Sequence, residues 1–259
     1  MSDRWPLDAR ALEALQRRLA READGARAER PLHLPARPLL GGCFVAFARG
    51  EAGPGHPGDR AWAAAATWRP AGGTRDEGAA LRGVRHDRGP RVARDLHEQV
   101  VVADEVPAAY EPGLLAMREG QILERAVAAL GGRPDVLLVD ATGVDHPRRA
   151  GLAVHLGWAL GVPTVGVTHR PLHADRGAEP AGERGRRSPV AVGAEVVAWW
   201  VVTRTGARAV VAHAGWRTTA DQAVEVVLLA STPASRTPVP LGEARRAARE
   251  VRSIAEGSW

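Results

Sequence analysis

The string Asp140-Ala141-Thr142-Gly143-Val144-Asp145-His146-Pro147-Arg148-Arg149 is the densest run of reactive side chains in the 259 residues. It follows DVLLVD at 135–140, a short and almost wholly apolar run, so Asp140 is expected at the end of a strand covered on both faces. Ligands of open α/β sheets gather at that carboxyl end. A carboxylate there offers hard oxygen ligands to a cation such as Mg²⁺, and the arginines offer planar donor forks to phosphate. The same string also suits a solvated loop in which His146 and the arginines bond their neighbours. Spacing alone leaves both readings open.

A second candidate lies upstream. Tyr110, the one tyrosine of the chain, sits in AAYEPGLLAMRE, where Pro112 and Gly113 make a tight local turn. An aromatic on a rigid loop can wedge into a base stack, although an ordinary half-buried tyrosine has the same surroundings in sequence. Glu119 follows within the first turns of the next helix, from which it could approach Asp140 across the sheet edge or remain solvated.

The elements that must position these groups fall into two patterns. Asp8 to Ala26 reads as an amphipathic helix with Leu12, Leu15 and Leu19 on one face. LLGGCFVAFARG, AWAAAATW and LHEQVVVADEV then read as three successive strands of an antiparallel meander, with a variable Gly/Arg-rich insertion at about 70–92. From Leu114 the pattern becomes helix, strand (135–140), helix (150–160) and strand (PTVGVT, 163–168). A charged loop reaches about Ser188; two further strands, a helix at 218–230, and a last helix from Leu241 to Ile254 with Arg on its outer face complete the chain. The expected fold is one α/β domain spanning 1–259, with a mixed central sheet (the antiparallel meander, then parallel strands) flanked by helices.

Composition narrows the class. All 35 basic side chains are arginine, since lysine is absent, and the net charge of +5 permits a nucleic-acid partner without requiring one. The lone Cys43 excludes a disulfide scaffold and a cysteine zinc site, and suits a reducing cytoplasm, the expected location. The amino-terminal stretch has no apolar signal core, and no run reaches the roughly 18 uncharged apolar residues of a membrane span, so no membrane partner is expected. Nothing in the sequence implies a protein partner.

YEPGLLAMRE, followed by PDVLLVDATGVDHPRRAGLAVHLGWALGVPTVGVTHRPL, resembles the endonuclease V family in order and spacing from Tyr110 to Leu172. Looser agreement continues through GGCFVAF and GWRTTADQAVEVV. The resemblance implies an RNase H-like fold and a Mg²⁺-dependent DNA-repair nuclease, with Mn²⁺ as the alternative cation. It would hydrolyse the phosphodiester 3′ to deoxyinosine (deaminated adenine) in DNA, and in some members in RNA. By that resemblance Asp140 and Glu119 are the metal-side carboxylates, and His146 stands near the scissile phosphate. Tyr110 is the wedge, with Pro112 and Gly113 shaping its loop. Arg148, Arg149 and His169 face phosphate, and Gly143, Pro147 and Gly151 are scaffold positions.

Departures cluster at the expected site. The family's Gly-x-Asp-Val reads Gly42-Cys43-Phe44-Val45, its lysine after the Val-Gly-Val strand reads Thr168-His169, its Gly-His-Arg reads Gly215-Trp216-Arg217, and its Asp-Gly-His-Gly reads Asp140-Ala141-Thr142-Gly143. Phe44 cannot ligate a cation. Asp145, Glu119 or Asp59 could supply the missing oxygen, and no spacing argument selects among them. The expected function is therefore an endonuclease V-type nuclease, with, as the alternative, a homologue that binds inosine-containing nucleic acid with catalysis impaired by Phe44.

Overall fold

The computed structural model describes residues 4–50, 53–70, 96–172 and 177–257. In chain order the elements are α1 (Ala9–Glu29), β1 (Leu40–Phe47), β2 (Arg60–Trp68), β3 (Leu96–Glu105), α2 (Leu115–Ala128), β4 (Val136–Val139), α3 (Leu152–Leu160), β5 (Thr164–Thr168), β6 (Arg187–Val192), β7 (Glu195–Val201), β8 (Val210–Ala214), α4 (Ala220–Leu229) and α5 (Val239–Ala255). The insertion expected at 70–92 lies, from 71 onward, outside the described residues.

The eight strands form one sheet in the order β3-β2-β1-β4-β5-β8-β7-β6. The meander is antiparallel, and β1, β4 and β5 run parallel at the centre. The later strands depart from expectation: β8 is antiparallel to β5, and β7 and β6 continue antiparallel outward. β6 itself begins within the stretch read as a charged loop; its alternating buried and exposed residues carry too little apolar character to announce an edge strand.

Both faces of the centre are covered. Leu137 and Val139 of β4 pack with α2 and α3, while Val136 and Leu138 pack with α4 and Leu241 of α5. That two-sided burial is why the run reads as continuously apolar. α1 starts at Asp8, whose carboxylate accepts from the Ala11 amide at 2.8 Å, and α4 carries a capping box between Thr219 and Gln222.

The alanines of β2 explain the position of α5. Ala64 and Ala66, with Ala46 of β1, meet Ala244, Ala247 and Ala248 of the helix. Short side chains on both sides let helix and sheet approach closely. Gly42 is the extreme of this contact: a Cβ there would lie 2.4 Å from both the Pro240 carbonyl carbon and the Leu241 nitrogen.

Candidate nucleic-acid site at the carboxyl end of the sheet

The parallel register pairs Cys43 with Val139, so the next residues, Phe44 and Asp140, emerge side by side. Glu119 comes in from α2. Burial first, then the Asp140 charge, raise Glu119 to about 8, with Arg118 pulling the other way, so it carries a proton at neutral pH. Burial and the same two carboxyls also push up the Cys43 thiol, which keeps it inert. Asp140, Glu119 and position 44 thus converge as expected, with phenylalanine as the third member.

The space beside them holds arginine. Arg245 of α5 donates from Nη2 to Asp140 Oδ2 at 2.9 Å, and its guanidinium carbon lies 5.1 Å from the Phe44 ring centre. Arg249, one turn later, stands 5.5 Å from the same ring. The expectation that the arginines of this helix lie on its outer face is corrected for Arg245, which turns to Asp140, while Arg249 stays exposed at the edge of the Phe44 ring. Among the described residues, no three His, Cys, Asp or Glu side chains gather as a set able to hold a metal ion.

The two alternative carboxylates are committed elsewhere. Asp59 is buried in an ion pair with Arg118 at 2.7 Å. Asp145 lies 2.8 Å from Nδ1 of His213 with both side chains fully enclosed. Burial alone would raise Asp145, but His213 and the Gly143 and Leu172 amides together hold it below the ordinary carboxylate value. Nε2 of His213 stands 2.7 Å from Thr168 Oγ1, so this pair ties the loop after β4 to the ends of β5 and β8.

The loop after β4 and the turn before α2 are clamped together. His146 is buried; its Nε2 donates to the Gly113 carbonyl at 3.0 Å while Nδ1 accepts from the Arg148 amide at 3.1 Å. Those partners fit the neutral ring, and burial, aided by the Arg148 charge, holds His146 down to about 4. Arg148 donates to the same Gly113 carbonyl at 2.8 Å and pairs with Glu13 of α1 at 3.3 Å. Arg149, at φ 60°, pairs with Glu195. His146 and Arg148 thus tie the two loops together, with His146 also lining the pocket beside Tyr110, and Arg149 makes a partly exposed ion pair. His169 is exposed, and burial of its ring edge plus the Arg236, Arg245 and Arg208 charges lower it, against the pull of Asp140.

The clamp sets Tyr110 in place. The turn through exposed Pro112 and partly buried Gly113 (φ 83°) leads into α2, and the Tyr110 amide donates to the Pro54 carbonyl at 2.7 Å. The Tyr110 ring remains 44% exposed. Beside it opens a pocket of about 170 Å³ lined by Tyr110, Gly113, Leu115, Asp140, Thr142 and Leu172, among others. Trp216 is not part of this site: it is buried against Leu15 and Leu19 of α1. Sequence reasoning missed His213, Arg245 and Arg249. A histidine inside an apolar strand and two arginines spaced i, i+4 on an amphipathic helix carry no signal that sets them apart from core and surface.

Residues 91–246 match the family model described as Endonuclease V. The chain is 42% identical over 143 residues to the endonuclease V of Geotalea uraniireducens; the match covers 55% of this chain and spans 60% of that protein's length. Among solved structures it is similar to the endonuclease V of Streptomyces avermitilis, with a TM-score of 0.74, 27% identity, and 97% and 96% of the two chains covered. It shares its fold, at a TM-score of 0.68 and 18% identity over 93% and 96% of the chains, with the endonuclease V of Ciona intestinalis in complex with a 24mer DNA containing an inosine followed by a ribo-adenosine.

Proposed function

From the premise that the chain belongs to the endonuclease V family, we propose that it recognises inosine in a nucleic-acid strand by wedge and pocket, and that binding rather than hydrolysis is its principal act. The observation that carries this reading is the half-exposed Tyr110 ring on a clamped turn at the mouth of a pocket sized for a single base. A flipped base leaves a gap in the stack, and a fixed aromatic fills it. Deamination turns the adenine amino group into a keto oxygen and adds a proton at N1, so discrimination calls for donors and acceptors at the pocket wall. Thr142 and Thr168 bring hydroxyls to that wall. The inosine-containing DNA held by the Ciona relative supports the choice of ligand.

A divalent cation of the kind the resemblance implies does not fit the residues present. Phe44 stands where the resemblance places a ligand carboxylate, Asp140 already pairs with Arg245, and no three His, Cys, Asp or Glu side chains gather among the described residues. No step of this proposal runs through a metal. A second reading, cleavage 3′ to deoxyinosine, is favoured by the convergence of Asp140 and Glu119 on one site.

Fluorescence anisotropy with matched duplexes and single strands, inosine against adenine, DNA against RNA, tests the first reading. We expect tighter binding to inosine, and Tyr110→Ala to weaken it about tenfold through lost stacking. Equal affinity for inosine and adenine strands would overturn recognition. Nicking in Mg²⁺ or Mn²⁺ that disappears in Asp140→Ala would establish the second reading instead.

A further inference from the structure

Three cations crowd the carboxyl end of the sheet. Arg245 sits between Asp140 and the Phe44 ring, Arg249 stands over the same ring, and Arg236 lies close enough to Arg245 to be destabilised by its charge. Arg236 donates to the Arg208 and Ala209 carbonyls at 2.8 and 2.7 Å, so main-chain oxygens fix it without neutralising it. Arg249 is exposed, and among the described residues no carboxylate pairs with it. The carboxylates facing this group are Asp140, Glu119 and, on the Arg236 side, Glu179, which is paired with Arg208. With Arg208 counted beside Arg236, Arg245 and Arg249, the four cations still exceed the three carboxylates by one when all are ionised. A site for a divalent metal needs the opposite balance.

We propose that Arg245 is a built-in cation standing in place of the divalent metal, and that with Arg249 it binds a nucleic-acid phosphodiester directly, in the absence of any metal. This rests on the nucleic-acid reading above and adds the phosphate subsite and its metal independence. Three features support it. The guanidinium reaches Asp140 from a helix whose alanine contact with β1 and β2 fixes its height over the sheet. The Phe44 ring gives both guanidiniums an electron-rich face where a carboxylate would have drawn a metal. The Nε–H of Arg245 is buried with no acceptor from the protein. A buried donor without a partner is unfavourable, and a phosphate oxygen supplies the missing acceptor in a charge-assisted bond.

The test is anisotropy with inosine and adenine duplexes in EDTA and in Mg²⁺, with Mn²⁺ paramagnetic resonance as a metal-only probe. The expected result is equal affinity in EDTA and Mg²⁺. Arg245→Gln and Arg249→Gln should each bind about tenfold more weakly, with the slope of log affinity against log salt shallower by about one. Wild-type protein should leave the free Mn²⁺ spectrum unchanged, and the double variant Phe44→Asp/Arg245→Asp should reduce it. Since Arg245 packs inside the fold and its variant could unfold, the exposed Arg249→Gln carries the phosphate test alone if needed. Binding that requires Mg²⁺, loss of the Mn²⁺ signal with wild-type protein, or unchanged affinity in a folded Arg249→Gln would overturn the proposal. Metal-free, Arg249-dependent binding with no preference for inosine would sustain the phosphate subsite while removing the recognition reading.

Discussion

Asp145 and His213 offer the sharpest test of how the site is held. Asp145→Ala removes the acceptor of His213 and of the Gly143 and Leu172 amides at once, all in a region closed to water. Each buried donor left unpaired costs about 1–3 kcal/mol, and breaking a buried pair by removing one partner costs about 3–5 kcal/mol in total. A chain this size has a urea slope of about 2–3 kcal/mol per molar, so the unfolding midpoint should fall by about 1–2 M. The double variant Asp145→Ala/His213→Leu should recover at least about 1 kcal/mol of what the two single losses predict, because the orphaned imidazole is gone. Urea unfolding followed by tryptophan fluorescence reads both quantities. A midpoint shift under about 0.4 M for Asp145→Ala, or strict additivity in the double variant, would refute the claim that this pair anchors the loop.

Two further outcomes follow from burial. His146 and His155 are both held down to about 4, by burial first and then by the Arg148 charge at His146 and the Arg18 charge at His155. The unfolded chain therefore takes up these protons before the folded one does. Their contribution is complete above about pH 6.5 and is lost as pH falls toward 4, by about 3 kcal/mol for each ring. Urea midpoints measured at pH 7 and pH 4.5 check this, and equal midpoints would contradict it. Gly42→Ala drives a methyl into the main chain of Pro240 and Leu241, so α5 must shift. Thermal melting should show a loss of about 1–3 kcal/mol.

How much of this was legible in sequence depended on whether a residue's role is local. Leu137 to Val139 announced a strand buried on both faces, and Leu12, Leu15 and Leu19 announced the apolar side of a helix. The turn at Pro112-Gly113 announced a rigid mount for Tyr110. Asp140 and Phe44 could be placed together because a family pattern aligned them, and the register agrees. Arg245 could not be placed, since its meaning comes from contact with Asp140, 105 positions away. The same holds for Asp145, which in sequence is a loop acid free to bind a cation and in the fold is sealed against His213. The ion-pair partners of Arg148 and Arg149, Glu13 and Glu195, lie on distant elements and could not be named from sequence.

The Phe44–Arg245 contact also constrains how this sequence could change over generations. Replacing Phe44 alone with aspartate would set a second carboxylate beside Arg245, in place of the ring that now packs on it. Replacing Arg245 alone would expose the Phe44 ring and release Asp140 without adding a ligand. If Arg245 stands in for the cation as proposed, rebuilding a metal centre here takes both exchanges together. On that proposal the two residues form one coupled unit, and a change at either is felt by Asp140 through Arg245.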